Sequence, residues 1–120
     1  MPARGDNVVV RRTRDVTIAA FTRPDVIDLA YINKVADDLT ELASTIDPPL
    51  LVVDFEGVRY LSSAALGMLL ALSQMLEERG GKICIANVVA EVKGVFAITK
   101  LPRLIETYDT TREAVGSLTG

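Results

Sequence analysis

Two adjacent serines, Ser62 and Ser63, stand where a loop gives way to a long apolar stretch. A hydroxyl there has three uses. It can accept from the orphan amides of a helix start, attack as a nucleophile, or receive a phosphoryl group. Nucleophilic attack needs a base, and the chain has no histidine. That excludes a Ser-His-Asp triad, a Cys-His dyad, a His-ligated metal and a histidine phosphorelay. Nor does a Ser-x-x-Lys pattern start at Ser63, since Leu66 stands where the lysine would be. Taken alone, the serines therefore read as a helix cap and not as an enzyme's nucleophile. Asp54, Glu56 and Arg59 lie just upstream. Asp54 closes an apolar run, and Glu56 and Arg59 read first as a solvated loop and second as a rim of the surface around Ser63. Asp54 and Glu56 offer too few oxygens for a metal ion, and no metal or other cofactor is expected.

The remaining chemistry is sparse. Cys84, the single cysteine, lies in the apolar run Lys82-Ile83-Cys84-Ile85-Ala86 and reads as a small buried hydrophobe. Gly80-Gly81 follows a helix and precedes a strand, the wrong order for a phosphate-binding loop. Lys and Arg number 13 against 16 Asp and Glu, a net charge of −3, which argues against direct nucleic-acid binding. Arg4, Arg11, Arg12 and Arg14 crowd the start of the chain. They read first as solvation of a frayed terminus and second as a docking arm for an acidic partner. No apolar run approaches the ~20 residues of a membrane span, and no apolar segment follows a basic start, so a cytoplasmic protein is the expectation.

Elements must position those serines. The stretch Asn7–Phe21 reads as a hairpin, two β-rich runs flanking a charged break at Arg12–Asp15, with Val16, Ile18 and Ala20 as the apolar face of its second strand. Asp28 is placed to cap a helix to about Ile46, carrying Ile32, Val35, Ala36, Leu39, Leu42, Ala43 and Ile46 as one stripe. Asp47-Pro48-Pro49 stops it. Leu50–Phe55 is a continuous apolar run of the kind that fills a central parallel strand. The serines then open a helix to about Arg79, closed by Gly80-Gly81. Lys82–Ala86 is a further buried strand, Asn87 a candidate cap for a third helix, and Pro102 its expected end. Leu104–Tyr108 reads as an edge strand, and Thr110-Thr111-Arg112-Glu113 as a capping box for a last helix. The order predicts a single α/β domain over 1–120 with its core at about 8–118. Its mixed, mostly parallel sheet has four to five strands, an N-terminal hairpin and about four helices.

The stretch Val52-Val53-Asp54-Phe55-Glu56-Gly57-Val58-Arg59-Tyr60-Leu61-Ser62-Ser63-Ala64-Ala65-Leu66-Gly67 resembles the signature of the STAS domain family, best known as bacterial anti-sigma factor antagonists. The family pattern is a strand, an apolar-aromatic pair, then Asp-Ser-Ser/Thr-Gly-Leu-Gly opening a helix. Here Ser62 replaces the Asp, Ala64 the second Ser or Thr, and Ala65 the Gly. The likeness continues through Glu77–Asn87 and Val92–Thr99. It implies a STAS-like fold and a partner switch, with Ser63 as the phosphorylated serine and Ser62 as the fallback acceptor. The implied partners are an anti-sigma factor or serine kinase, and a phosphatase. They would meet Glu56, Arg59, Ser62, Ser63, Ala64, Leu66 and Gly67. The alternative it implies is a cytoplasmic subunit of a membrane system moving lipids or anions.

Overall fold

A computed structural model describes residues 3–4, 7–99 and 101–119. The elements in chain order are β1 (Ala3–Arg4), β2 (Val8–Thr13), β3 (Val16–Phe21), β4 (Asp25–Val26), α1 (Leu29–Ser44), β5 (Leu50–Asp54) and β6 (Tyr60–Leu61). They continue with α2 (Ser63–Glu78), β7 (Lys82–Ala86), α3 (Ala90–Ala97), α4 (Leu101–Leu104), β8 (Glu106–Tyr108) and α5 (Thr111–Thr119). The main sheet runs β1-β2-β3-β5-β7-β8. Its first three strands are antiparallel, and β3, β5, β7 and β8 are parallel. This is the expected mixed α/β architecture, with the two-residue β1 as an added edge.

Local chemistry accounts for most boundaries. The β2–β3 hairpin turns on Arg14 and Asp15, both at positive φ (51° and 67°), the backbone sense that suits the twist of a two-residue hairpin. The turn is shorter than expected, because Arg12 and Thr13 pair with Thr17 and Val16. A paired strand at Arg11 and Arg12 and a tight turn at Arg14 therefore replace the expected frayed start. Asp28 caps α1 by accepting from the Ala30 amide at 2.9 Å. At the end of α2 the Gly81 amide reaches the Leu76 carbonyl (2.8 Å) and the Gly80 amide that of Glu77 (3.0 Å), with Gly80 at φ 74°. These two bonds are a Schellman closure. At α5 the Thr110 hydroxyl accepts from the Glu113 amide at 3.1 Å, the forward half of the capping box, and itself donates to Glu113 Oε1 at 3.1 Å.

Three expectations need correction. Asn87 does not cap α3, whose N-cap is Val89 with no side-chain bond. Instead Asn87 adopts φ 61° and donates through its amide nitrogen to Asp54 Oδ1 (2.9 Å) and Thr111 Oγ1 (3.0 Å). Pro102 does not end that helix. α3 stops at Ala97, and Pro102 falls in the first turn of α4, where a missing amide hydrogen costs nothing. Finally, β3 is buried on both sides, with Thr17 only 1% exposed.

The sheet sorts its residues by alternation. Ala19, Phe21, Leu51, Val53, Ile83 and Ile85 join a large core with α1, α2, α3 and α4. There Phe55 meets Phe21 and Phe96 edge-on, with centroids 5.3 and 5.8 Å apart. Val16, Ile18, Val52, Cys84 and Ala86 point the other way, onto Ala114 and Val115 of α5.

Candidate functional site

The loop ahead of α2 is built to hold the serines in one place. Asp54, buried at the end of β5, accepts from the Glu56 amide at 2.9 Å and so bends the chain out of the strand. Gly57 takes φ 84° as Val58 bonds back to the Phe55 carbonyl at 2.9 Å. Glycine is the residue that enters this conformation without steric cost. Val58 then plugs the core at 1% exposure.

Beyond it, a clamp absent from the sequence reading takes over. The Pro24 carbonyl accepts from the amides of Arg59 (2.8 Å) and Tyr60 (3.3 Å), and the Val26 carbonyl from Ser62 (3.0 Å). β4 and β6 pair in parallel as Asp25↔Tyr60 and Val26↔Leu61. The segment Pro24–Val26 thus fixes where α2 begins. Two-residue strands have no periodicity, so only the cluster of backbone partners reveals them.

The two serines then divide the work. Ser62, half-buried with extended φ and ψ, is the N-cap; its oxygen accepts from the Ala65 amide at 3.2 Å. Ser63 is the first helical residue and is exposed. Among the described residues no hydrogen-bond partner holds its hydroxyl. The first turn of α2 carries no acidic residue, so no carboxylate occupies the positive end of the helix dipole there.

Two grooves open at the residues on either side of Ser63, with largely apolar linings. Ser62 lines one groove of about 430 Å³ together with Ile27, Arg59, Tyr60, Glu91 and Val95. Ala64 lines another, of about 410 Å³, with Leu29, Met68 and Met75 between α1 and α2. Ile27, Leu29 and Tyr60 are each more than half exposed, at 53%, 60% and 57%. Of the residues expected to meet a partner, Glu56, Arg59, Ser63, Ala64 and Gly67 are exposed and Ser62 is half-buried. Leu66 is not available: at 8% exposure it belongs to the large core. A family motif gives positions, and the helix turns this one inward. Ile27, Leu29, Tyr60, Glu91 and Val95 join the groove linings without being singled out by the motif. The signal for the first two was present in Val26-Ile27-Asp28-Leu29, where apolar residues flank a cap and exceed what the helix stripe can bury.

The groups whose titration the fold displaces stand elsewhere, on β7 and β8. The Lys82 ammonium lies 2.8 Å from Glu106, which raises the lysine pKa and lowers that of the carboxyl; Tyr108, also bonded to Glu106, is raised. Burial pushes the Cys84 thiol up. Among the described residues no cluster of three or more His, Cys, Asp or Glu could hold a metal ion. No described helix is long and apolar enough to cross a membrane.

The chain is thus an α/β layer with an exposed serine at the start of a long helix, and comparison with known proteins gives its family. The STAS domain model matches residues 7–114. The chain belongs to the STAS domain family. Its fold is shared with an anti-sigma-factor antagonist (STAS) domain protein from Planctomyces limnophilus, at 18% identity over 96% of this chain and 99% of that one (TM-score 0.84). It is also similar to the phosphorylated form of the Bacillus cell fate determinant SpoIIAA: 16% identity, 92% and 97% coverage, TM-score 0.66. The murine Solute Carrier 26 family member A9 anion transporter contains a similar part. The match is at 16% identity and covers 98% of this chain and 21% of the transporter (TM-score 0.76).

Proposed function

We propose that this chain is a non-enzymatic, cytoplasmic binding module of the anti-sigma factor antagonist type, switched by phosphorylation of Ser63. The observation that carries the reading is the division between the serines. Ser62 spends its oxygen on the Ala65 amide, and the exposed Ser63 hydroxyl is left over between two apolar grooves. Unmodified, that surface buries apolar groups such as Tyr60, Ile27 and Leu29 against an anti-sigma factor or serine kinase. A phosphoryl group adds about −1.5 to −2 charges at neutral pH. The domain tolerates it, because the helix N-terminus favours an anion and no acid stands in the first turn. A docked partner does not, since the dianion would have to be desolvated against an apolar contact. The result is release without unfolding, reversed by a phosphatase. A relative solved in a phosphorylated form supports the same reading.

Incubation with the cognate serine kinase and ATP, followed by peptide mapping, is expected to place one phosphoryl group on Ser63. A second assay compares partner capture by wild type, Ser63→Ala and Ser63→Asp; alanine keeps the partner and aspartate loses it. Equal capture by both, or modification confined to other residues, sinks the switch. The fold shared with part of an anion transporter favours a second reading, a cytoplasmic subunit of a membrane transport system. Co-purification with a permease in place of a soluble kinase would select it.

A further inference from the structure

The face of the sheet beneath α5 carries a cleft unconnected with Ser63. Arg11 and Thr13 pair with Ile18 and Val16, so alternation turns them to the α5 side of β2. Arg14 follows in the hairpin turn, and α5 brings Thr111, Arg112 and Val115 to the opposite wall. Three guanidiniums and two hydroxyls, with Ile18 and Val115 as the apolar part, thus line one cleft of about 310 Å³. That is the lower end of the size range of small-molecule sites.

The charges are unbalanced locally. Among the described residues, the ion pairs are Arg23–Asp28, Lys82–Glu106 and Lys93–Asp109, and none involves Arg11, Arg14 or Arg112. The carboxylates nearest in sequence are Asp15, beside Arg14 in the turn, and Glu113, whose Oε1 already accepts from the Thr110 hydroxyl. Thr111 Oγ1 accepts from Asn87 and so keeps its own proton to donate. In a chain of net charge −3, three like charges gathered at one opening repel each other unless an anion sits among them. Guanidinium forks match the oxygens of a phosphoryl group in pairs.

We propose that this cleft binds a small organic phosphate: Arg11, Arg14 and Arg112 hold the phosphoryl oxygens, Thr111 donates to them, and the carrier lies against Ile18 and Val115. The same headgroup chemistry occurs free or on a lipid, so the experiment has two arms. Isothermal titration at low ionic strength, without divalent cations, uses ADP and inorganic pyrophosphate. Flotation uses phosphatidylcholine vesicles with and without phosphatidic acid. Wild type is compared with Arg112→Gln, the pair Arg11→Gln/Arg14→Gln, and Lys34→Gln on α1 as a control. Each arginine variant is expected to weaken saturable binding about tenfold or more, and Lys34→Gln to leave it unchanged. Added salt should weaken binding in step. Arginine-dependent binding confined to the acidic vesicles keeps the site and assigns a lipid carrier. The proposal is overturned by any of three results: no saturable binding of any probe, an equal loss in Lys34→Gln, or a polyglutamate peptide that binds at least as tightly as the phosphates. All four proteins are first shown to be folded by circular dichroism. The outcome is independent of the Ser63 assays.

Discussion

One face of the sheet lies beneath α1 to α4 and the other beneath α5 alone. The first gathers aromatic and aliphatic side chains from four helices around the Phe21–Phe55–Phe96 stack. The second has Ala114 and Val115 of one helix, with the partly buried Leu118 beside them, over Val16, Ile18, Val52, Cys84 and Ala86. Their outer surfaces differ to match. The thick side ends in apolar grooves around Ser63, and the thin side in an arginine cleft. A deep core can fix a helix start tightly enough for a docking surface. A single helix over a shallow core leaves room beside it for charged side chains.

Matched truncations give the largest effects and test that contrast. Ile85 and Ile18 sit on neighbouring regions of one sheet, 0% and 2% exposed, and point to opposite faces. Truncation of a buried isoleucine to alanine costs about 2–5 kcal/mol, the spread reflecting how far the surroundings collapse. Ile85→Ala, in the large core where α2 packs against β7, is expected near the top of that range. Ile18→Ala should fall near the bottom, because α5 alone can settle inward. Urea unfolding midpoints at unchanged slope measure the difference; equal costs would break the contrast.

Asn87 ties the two regions together, and its loss comes next. It bonds Asp54, at the root of the serine loop, and Thr111, at the head of α5. Asn87→Ala removes both bonds, leaves the buried Asp54 with one partner fewer, and puts a Cβ-bearing residue without local hydrogen bonds at φ 61°. About 2–3 kcal/mol is expected. Asn87→Gly should recover roughly 1 kcal/mol of that by relieving the backbone alone. If glycine restores nothing, the conformation is not a source of the loss.

Sequence carried the architecture wherever one residue type had one local meaning. Asp28 before an amphipathic stripe, Gly80-Gly81 after α2 and Thr110–Glu113 at α5 all form as spacing predicts. It failed where a residue has two meanings and tertiary contacts choose. Asparagine suits both caps and the left-handed region, and the pairing of Asn87 with Asp54 selects the second. Proline both ends and starts helices; at Pro102 it starts one. Thr17 alternates with the apolar face of its strand, yet it is buried, because Leu39, Leu42 and Ala43 of α1 pack over that side. At the site, the motif located the serines but not their roles, since a shift of one residue in the helix start exchanges cap and free hydroxyl. The Pro24 and Val26 carbonyls set that start.

Thr17 supplies a smaller effect of opposite sign. Its hydroxyl is buried without a hydrogen-bond partner among the described residues. An unmet buried hydroxyl is costly, and an apolar group of the same shape removes that cost. Thr17→Val is therefore expected to stabilise by about 1 kcal/mol. A destabilised variant would mean that the hydroxyl has a bonding partner in solution, such as a trapped water.

The serines themselves give the smallest change in stability and bear most directly on the site. Ser62→Ala deletes the acceptor for the Ala65 amide and should cost about 1 kcal/mol, the usual value of a lost N-cap. Ser63→Ala removes a hydroxyl that no described residue holds, at a helical position where alanine has the better propensity, so stability should stay within about 0.5 kcal/mol. Partner capture must then sort the pair differently: Ser63→Asp releases the partner while keeping the fold, whereas Ser62→Ala weakens capture only as far as it loosens the helix start. Denaturation and capture measured on the same preparations separate the two roles. If Ser63→Ala proved as destabilising as Ser62→Ala, both oxygens would be structural, and the charge added by modification would have no uncommitted hydroxyl from which to act.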